Sequence, residues 1–341
     1  MELFDAANPV CALAPMQDIT DSGFMSVVAE CGAPDFFVAE YFRVHEFSTL
    51  EKSVLEAVLS SPASKPVSAQ IIGEDEFHIV RTISLLKKYP QIKYLDLNIG
   101  CPAPKVYRKN VGGGLLKEPK KIRSILKAMR ENWGGFLSAK TRLGFGSADA
   151  LEEIVGIINE SGADFFTLHG RTVKQLYRGE ADYEAIRKAA KLSKIPLIAN
   201  GDLTSAKKAL QVAEFTGAKG VMIGRHAVRN PWIFRQIKEL QEGREMFLPT
   251  LADAYQYAEK IHEHIIKSNP QIRYADGRMK KFLNFIGLGV DGDGAFLNEM
   301  RRAKGIAGLF EVCKKHMLSN PSKPFALEPR PGLCARPNHE L

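Results

Sequence analysis

Short runs of consecutive apolar residues recur from Val10 to Gly224, and most are followed by a segment with helical spacing. The apolar runs are Val10 to Ala14, Asp35 to Glu40, Pro66 to Ile72, Tyr94 to Asn98, Phe136 to Thr141, Asp164 to His169, Pro196 to Asn200 and Gly220 to Gly224. Helical patterns are predicted over residues 22–31, 76–88, 119–132, 148–161, 182–192 and 204–215, with another after Pro231. Gly32 suits a helix end and Pro119 a helix start. The runs are continuously apolar rather than alternating, which is the signature of parallel strands covered on both faces. Eight such strands alternating with helices fit a (β/α)8 TIM barrel, typically about 250 residues long. A doubly wound open sheet is the competing architecture, but no GxGxxG follows the first strand.

The pattern changes after Met246. Amphipathic segments at 251–267, 274–287 and 295–316 carry no strand-like run, so a small all-helical C-terminal domain is expected. The expected organisation is a catalytic barrel over 1–245, a helical domain over 246–318 and a flexible, proline-rich tail over 319–341.

Composition adds class rather than chemistry. The 341 residues are 45% hydrophobic and 25% charged, as in ordinary globular proteins. No apolar run is long enough for a membrane helix, and the N-terminus lacks the features of a secretory signal. The five cysteines, Cys11, Cys31, Cys101, Cys313 and Cys334, form no CxxC pair. Neither a disulfide framework nor a metal site is indicated, and a reducing cytoplasm is expected. The net charge is +8. From Phe247 on there are 14 Lys and Arg against 10 Asp and Glu, so half of the excess lies there. A basic balance suits either a polyanionic partner or a simply basic protein.

In a (β/α)8 barrel, active sites gather where the strands end. Strand one delivers Ala14, Pro15 and Met16; strand two Glu40; strand three Gln70; strand four Asn98 and, just beyond it, Cys101. Strand five gives Lys140 and Arg142, strand six His169, strand seven Asn200, Gly201 and Asp202, and strand eight Gly224 and Arg225. Gly201, Gly224 and Arg225 suit a phosphate, because the last two loops are the usual phosphate site of this fold. A lysine at position 140, after an apolar strand, suits a developing anion. Cys101 reads as a nucleophile, an acid or a small apolar filler; no His or Asp stands beside it in sequence to form a thiolate pair. Glu40 stands near Arg43 and either serves the site or pairs with it. Lys105, Arg108 and Lys109 with Tyr107, then Arg171, Lys174 and Arg178 with Tyr177, and Arg273, Arg278, Lys280 and Lys281 form basic clusters suited to nucleic-acid phosphates or to a solvated face.

Taken together, APM (14–16), DLNIGCPAPKV (96–106), GGGLL (112–116), KTRLG (140–144), HGRT (169–172), NGD (200–202) and MIGR (222–225) resemble the tRNA-dihydrouridine synthases, in the right order and spacing. The resemblance implies an FMN-dependent barrel with a helical domain that helps bind tRNA, with NADPH or NADH as reductant. It implies that hydride reaches C6 of a uracil from the flavin and that Cys101 gives a proton to C5. Ala14, Pro15, Met16, Gln70, Lys140, His169, Asn200, Gly201, Asp202, Gly224 and Arg225 would surround FMN. Asn98 and Arg142 would touch the uracil, with Lys105, Arg108 and Lys109 on the tRNA backbone. Such a base must be flipped out of folded RNA to reach the barrel mouth. One departure stands out: Gln17-Asp18-Ile19 replaces the glycine-containing pair common after the first strand. No metal and no membrane are implied, and a monomer is expected. A barrel reducing a free pyrimidine and a non-catalytic RNA-binding barrel are the alternatives.

Overall fold

The computed structural model describes residues 2–4, 8–267 and 275–330. The strands are β1 (Val10–Leu13), β2 (Phe36–Arg43), β3 (Val67–Ile72), β4 (Tyr94–Ile99), β5 (Phe136–Arg142), β6 (Phe165–His169), β7 (Leu197–Asn200) and β8 (Gly220–Ile223). They form one closed parallel barrel in sequence order, β8 pairing with β1. The eight apolar runs therefore all become strands, and closure removes every sheet edge. In the barrel interior Val10, Ala12, Ala14, Phe36, Val38, Phe165, Ile198 and Met222 pack together. A 3-10 turn over Glu2–Phe4 brings Leu3 and Phe4 against this cluster, with the Phe4 and Phe165 rings 5.2 Å apart.

The helices follow in chain order: α1 (Ser22–Gly32), α2 (Lys52–Leu59), α3 (Glu76–Leu86), α4 (Pro104–Tyr107), α5 (Pro119–Asn132), α6 (Leu151–Glu160), α7 (Tyr183–Leu192), α8 (Ala206–Thr216), α9 (Arg225–Arg229), α10 (Ile233–Gln241), α11 (Leu251–Ile261), α12 (Ala275–Ile286), α13 (Ala295–Arg302) and α14 (Gly305–Cys313). Local chemistry fixes their ends. Asp75 and Asp182 accept from backbone N–H groups at the starts of α3 and α7, and Thr250 with Asp253 forms a capping box on α11. The helices expected over 295–316 are α13 and α14, separated at Ala303 and Lys304, whose ψ angles of 144° and 137° are extended.

The chain divides into two compact units. One holds residues 1–22, 34–203 and 209–223; the other holds 23–33, 204–208 and 224–341. The division thus falls at Gly224 rather than at residue 246, and α1 joins the helical unit. Packing within that unit accounts for this. Phe24 of α1 lies 5.6 Å from the Phe282 ring of α12, and Lys260 pairs with Glu30 at 2.6 Å.

Of the stretch expected to be flexible, residues 319–330 are held by specific contacts within the helical unit, while 331–341 lie outside the described residues. Pro324 bridges to Thr250, and Phe325 is buried with its ring 6.4 Å from that of Trp232. The buried Arg229 guanidinium donates to the carbonyls of Ala326 and Leu327 at 2.6 and 2.5 Å. Polar composition foretold looseness, but one aromatic ring and one guanidinium anchor the segment. Among the described residues no helix is long and apolar enough to cross a membrane.

Candidate active site

The ends of β3, β4 and β5 build one buried polar chain. Register places Gln70 beside Asp96 and Asn98 beside Lys140. Ser138 Oγ donates to Asp96 Oδ1 at 2.5 Å, and Gln70 Nε2 donates to Asp96 Oδ2 at 2.7 Å. Asn98 Nδ2 donates to Gln70 Oε1 at 2.8 Å. Asn98 Oδ1 then accepts from the backbone N–H groups of Gly100 and Cys101, at 3.1 and 2.9 Å. A carboxyl group inside the barrel thus orients two amides, and the second amide fixes the Cys101 backbone. Gln70, Asp96, Asn98 and Ser138 are all buried, so each hydrogen bond restricts its neighbour strongly. Burial raises the Asp96 carboxyl to about 6, against the lowering effect of Ser138, Gln70 and Lys140.

Lys140 continues the site on the next strand. Its Nζ donates to Asn200 Oδ1 at 3.3 Å, and Asn200 Nδ2 donates to the Met222 carbonyl at 2.7 Å. Burial first, and then the Arg142 charge, pull the Lys140 ammonium down to about 8, while Asp96 and Cys101 oppose that shift. A cation held against desolvation at a barrel mouth is poised to meet an anionic ligand.

Arg142 and His169 are buried and in register with each other. Arg142 Nη1 donates to the carbonyls of Thr172 and Leu176, at 2.9 and 2.7 Å, and its guanidinium lies 5.4 Å from the Tyr177 ring centroid. One edge of this arginine therefore holds the loop after β6. Gly201 has φ of +117°, and a Cβ there would come within 2.7 Å of the His169 ring, so only glycine fits.

Asp202 serves this loop rather than pointing to open space. It accepts from Arg171 at 2.5 and 3.0 Å and from the Ala181 N–H at 2.8 Å. Arg171, grouped by sequence with a basic surface cluster, is buried in this pair and is not a surface cation. Gly224 and Arg225 belong to the second unit, where Gly224 precedes α9. Lys105, Arg108 and Lys109 are all exposed around α4, directly after the cysteine loop. Of the remaining basic cluster Arg278, Lys280 and Lys281 lie on α12, and Arg273 lies outside the described residues.

The turn after β1 resolves the departure noted at Gln17-Asp18-Ile19. Asp18 itself adopts the left-handed conformation, with φ of 56°, which aspartate tolerates better than most residues. Thr20 Oγ1 accepts from the Met16 N–H and donates to the Ala14 carbonyl, which ties the Ala14–Met16 segment into a tight turn.

Two parts of the site were hidden in the sequence. Asp96 carried a signal, since a carboxylate inside an apolar strand calls for a partner. Tyr41 carried none. The pairing of β2 with β3 shifts between Val38, opposite Ser68, and Tyr41, opposite Gln70. Three steps on β2 oppose two on β3, which is a β-bulge. The bulge places Tyr41, not Glu40, beside Gln70. Simple alternation from Val38 assigns that place to Glu40.

The glycine run 112–114 packs beneath the same cysteine. The Gly113 N–H donates to the Cys101 carbonyl at 3.1 Å. A Cβ on Gly113 would come within 2.8 Å of that carbonyl and 2.6 Å of Val173 Cγ2. We expect Gly113→Val to lower the melting temperature and slow turnover at least tenfold by displacing Cys101, with any bound flavin retained. Flavin absorbance and turnover on one preparation check this.

Among the described residues, no group of three or more His, Cys, Asp or Glu could hold a metal ion. A family model described as Dihydrouridine synthase (Dus) matches residues 12–307. A Helicobacter pylori protein named probable tRNA-dihydrouridine synthase is 37% identical over 228 residues, spanning 66% of this chain and 69% of the relative. A tRNA-dihydrouridine(16) synthase of Neisseria meningitidis is 31% identical over 300 residues, spanning 86% of this chain and 90% of its own. The tRNA-dihydrouridine synthase B of Escherichia coli is 36% identical over 240 residues, spanning 69% of this chain and 73% of its own. Among solved structures, a histamine dehydrogenase from a Rhizobium species shares the fold, with a TM-score of 0.53 at 12% identity over 76% of this chain and 51% of that one. With the family match spanning barrel and helical unit alike, the chain belongs to the dihydrouridine synthase family.

Proposed function

We propose that this protein is an FMN-dependent tRNA-dihydrouridine synthase, reducing the C5–C6 double bond of uridines in tRNA at the expense of NADPH or NADH. The observation that carries this reading is the hydrogen-bonded chain from Asp96 through Gln70 and Asn98 to Cys101, set beside the half-buried cation of Lys140. The donor set fits a flavin. The amides of Gln70 and Asn200 and the ring of His169 can pair with the edge of a heterocycle, and the Lys140 ammonium suits the charge that a reduced isoalloxazine carries. The close approach at Gly201 leaves the His169 ring room that a side chain would fill.

Ala14, Pro15, Met16, Gln70, Lys140, His169, Asn200 and Gly201 would hold FMN. Asp202 acts through Arg171, and Gly224 and Arg225, which follow β8 in the chain, are the proposed phosphate residues. FMN supplies hydride to C6 when bound and reduced. The chain's own task is the other half of the addition. Cys101, half-buried on a loop whose backbone is fixed on both sides, gives its thiol proton to C5. Asn98 and Arg142 are proposed to orient the uracil, and Lys105, Arg108 and Lys109 to meet tRNA phosphates from the exposed rim. Lys174 Nζ lies 5.5 Å from the Tyr107 ring centroid and 5.4 Å from that of Phe145, adding a cationic, aromatic stretch to that rim. The enzyme is proposed to act as a monomer in the cytoplasm.

The test is to express the chain in a strain lacking its own synthases and to map dihydrouridine across its tRNA. We expect the modified base at defined tRNA positions. Its absence, with uracil or orotate reduced instead, would favour a small-molecule reductase.

A further inference from the structure

We propose that Arg229 is a positioning residue for the flavin phosphate, holding Gly224 and Arg225 in place by clasping the C-terminal segment 321–330 as a strap. This rests on Gly224 and Arg225 being the phosphate residues of the proposed function. Arg225 opens the five-residue α9 and Arg229 closes it, so the two arginines stand about one helical turn apart. Arg225 is half-buried, whereas Arg229 is fully buried and its guanidinium meets three backbone carbonyls. Nη1 donates to Ala326 at 2.6 Å, and Nη2 donates to Leu327 at 2.5 Å and to Thr204 at 2.6 Å. A guanidinium taken out of water is costly to fold unless its hydrogen bonds are well made. Here they all reach main chain, so the arginine joins segments rather than serving one side chain. Two acceptors lie on the strap, and the third follows the Asn200–Asp202 loop after β7. The loops after the last two strands are where this fold usually holds phosphate. Arg229 thus ties the backbone after β7 to the helix after β8, and both to the strap.

The strap is itself anchored along its length within the helical unit. The N–H groups of Leu251 and Ala252 donate to the Lys323 and Pro321 carbonyls at 2.9 and 3.0 Å. The Phe325 N–H donates to the Pro249 carbonyl at 2.9 Å, and the Ala326 and Arg330 N–H groups donate to Gly289 and Leu288, each at 3.0 Å. The Phe325 ring lies against Gly289, where any Cβ would clash. From α11, the buried Tyr257 hydroxyl donates to the Val228 carbonyl at 2.9 Å. The C-terminal half of α9 is therefore bound to α11 and to the strap. A helix this short has little stability of its own, so its place is set by these bonds. Loosening the strap moves the acceptors of Arg229, and the displacement passes through one turn to Arg225. An arginine holds phosphate through paired, directional hydrogen bonds, so a small misplacement costs affinity.

Flavin binding by the full chain stripped of its flavin tests this without turnover. FMN and riboflavin differ by the phosphate alone, so the ratio of their dissociation constants reads phosphate binding apart from folding. Arg225→Ala should cut the preference for FMN about a hundredfold, the loss of a charge-assisted pair. Arg229→Met should cut it about tenfold with riboflavin affinity unchanged, and in the Arg225→Ala background it should change the preference no further. A clasp that serves stability alone weakens both flavins alike or neither, and either result overturns the proposal.

Should Arg229→Met fail to fold, the wild-type protein carries the same question. Coupling is reciprocal: if the docked strap favours FMN about tenfold, FMN must slow strap opening by about the same factor. Amide hydrogen exchange of peptides covering 321–330 should therefore slow about tenfold more with saturating FMN than with saturating riboflavin. Equal protection by the two flavins overturns the proposal. The two levels fail differently. If Arg225→Ala keeps the preference for FMN, the phosphate assignment fails and this role for Arg229 falls with it. If Arg225→Ala loses the preference and Arg229→Met keeps it, the role of Arg229 alone fails.

Discussion

Cys101→Ala is expected to slow dihydrouridine formation by about 10²- to 10⁴-fold, the usual contribution of a positioned general acid. Flavin content and its reduction by NADPH should be unchanged. The reason lies in how the loop is held. Its backbone is fixed by Asn98 Oδ1, which accepts from the Gly100 and Cys101 N–H groups, and by Gly113, whose N–H donates to the Cys101 carbonyl. None of these bonds uses the sulfur. Alanine therefore removes the proton and leaves the loop in place, which separates chemistry from folding. Serine keeps the shape but is a far weaker acid, so Cys101→Ser should lie close to alanine. Single-turnover mixing of the NADPH-reduced protein with unmodified tRNA measures all three.

Lys140→Met should weaken flavin binding and slow the reduction of whatever flavin remains by about 10²- to 10³-fold, the loss typical of one preorganised charge at a reacting centre. The same lysine predicts the alkaline limb of the wild-type pH profile. Its folded-state value is lowered from 10.5 to about 8. Flavin reduction should therefore decline as pH rises through about 8, and the methionine variant should show no such decline. Stability moves the other way. Between about 8 and 10.5 the unfolded chain binds the proton that the folded chain has released, so stability rises with pH across that window. Asp96 acts at the acid end. Its folded value is raised from 3.8 to about 6, so the folded state holds the extra proton there and stability falls as pH rises through that window. Thermal melts of wild type, Lys140→Met and Asp96→Asn across both windows separate the two contributions.

The barrel was legible because its strands are buried on both faces and so stand out as unbroken apolar runs. Gln70, Asn98, Lys140, His169 and Asn200 were legible for the same reason: a polar residue closing an apolar run has a place in the fold before it has a partner. Tyr41 was not. A bulge changes which side of a strand a residue faces, and nothing in the run DFFVAEYFR marks where the extra residue sits. Arg171 and Asp202 show a second limit. Read along the chain, one looked like a surface cation and the other like a ligand, and only folding brings the buried arginine and the half-buried aspartate together as a pair. The glycines at 112–114 are close-packed, a role their sequence alone does not separate from flexibility, because backbone contact and flexibility both call for glycine. The segment after Ser319 illustrates a third limit, since one buried phenylalanine outweighs a polar composition.

The proposed reaction couples a proton from Cys101 with reducing equivalents from a flavin on a tRNA uridine. The most direct measurement reduces the purified flavoprotein with NADPH without oxygen, removes excess reductant and adds tRNA from a strain lacking synthases. Flavin reoxidation and dihydrouridine are then followed together. One dihydrouridine is expected for each flavin reoxidised, and Cys101→Ala is expected to keep the flavin reduced in the presence of the same tRNA. Reoxidation by tRNA at the wild-type rate in Cys101→Ala, or reoxidation by free uracil as fast as by tRNA, would rule out this coupling.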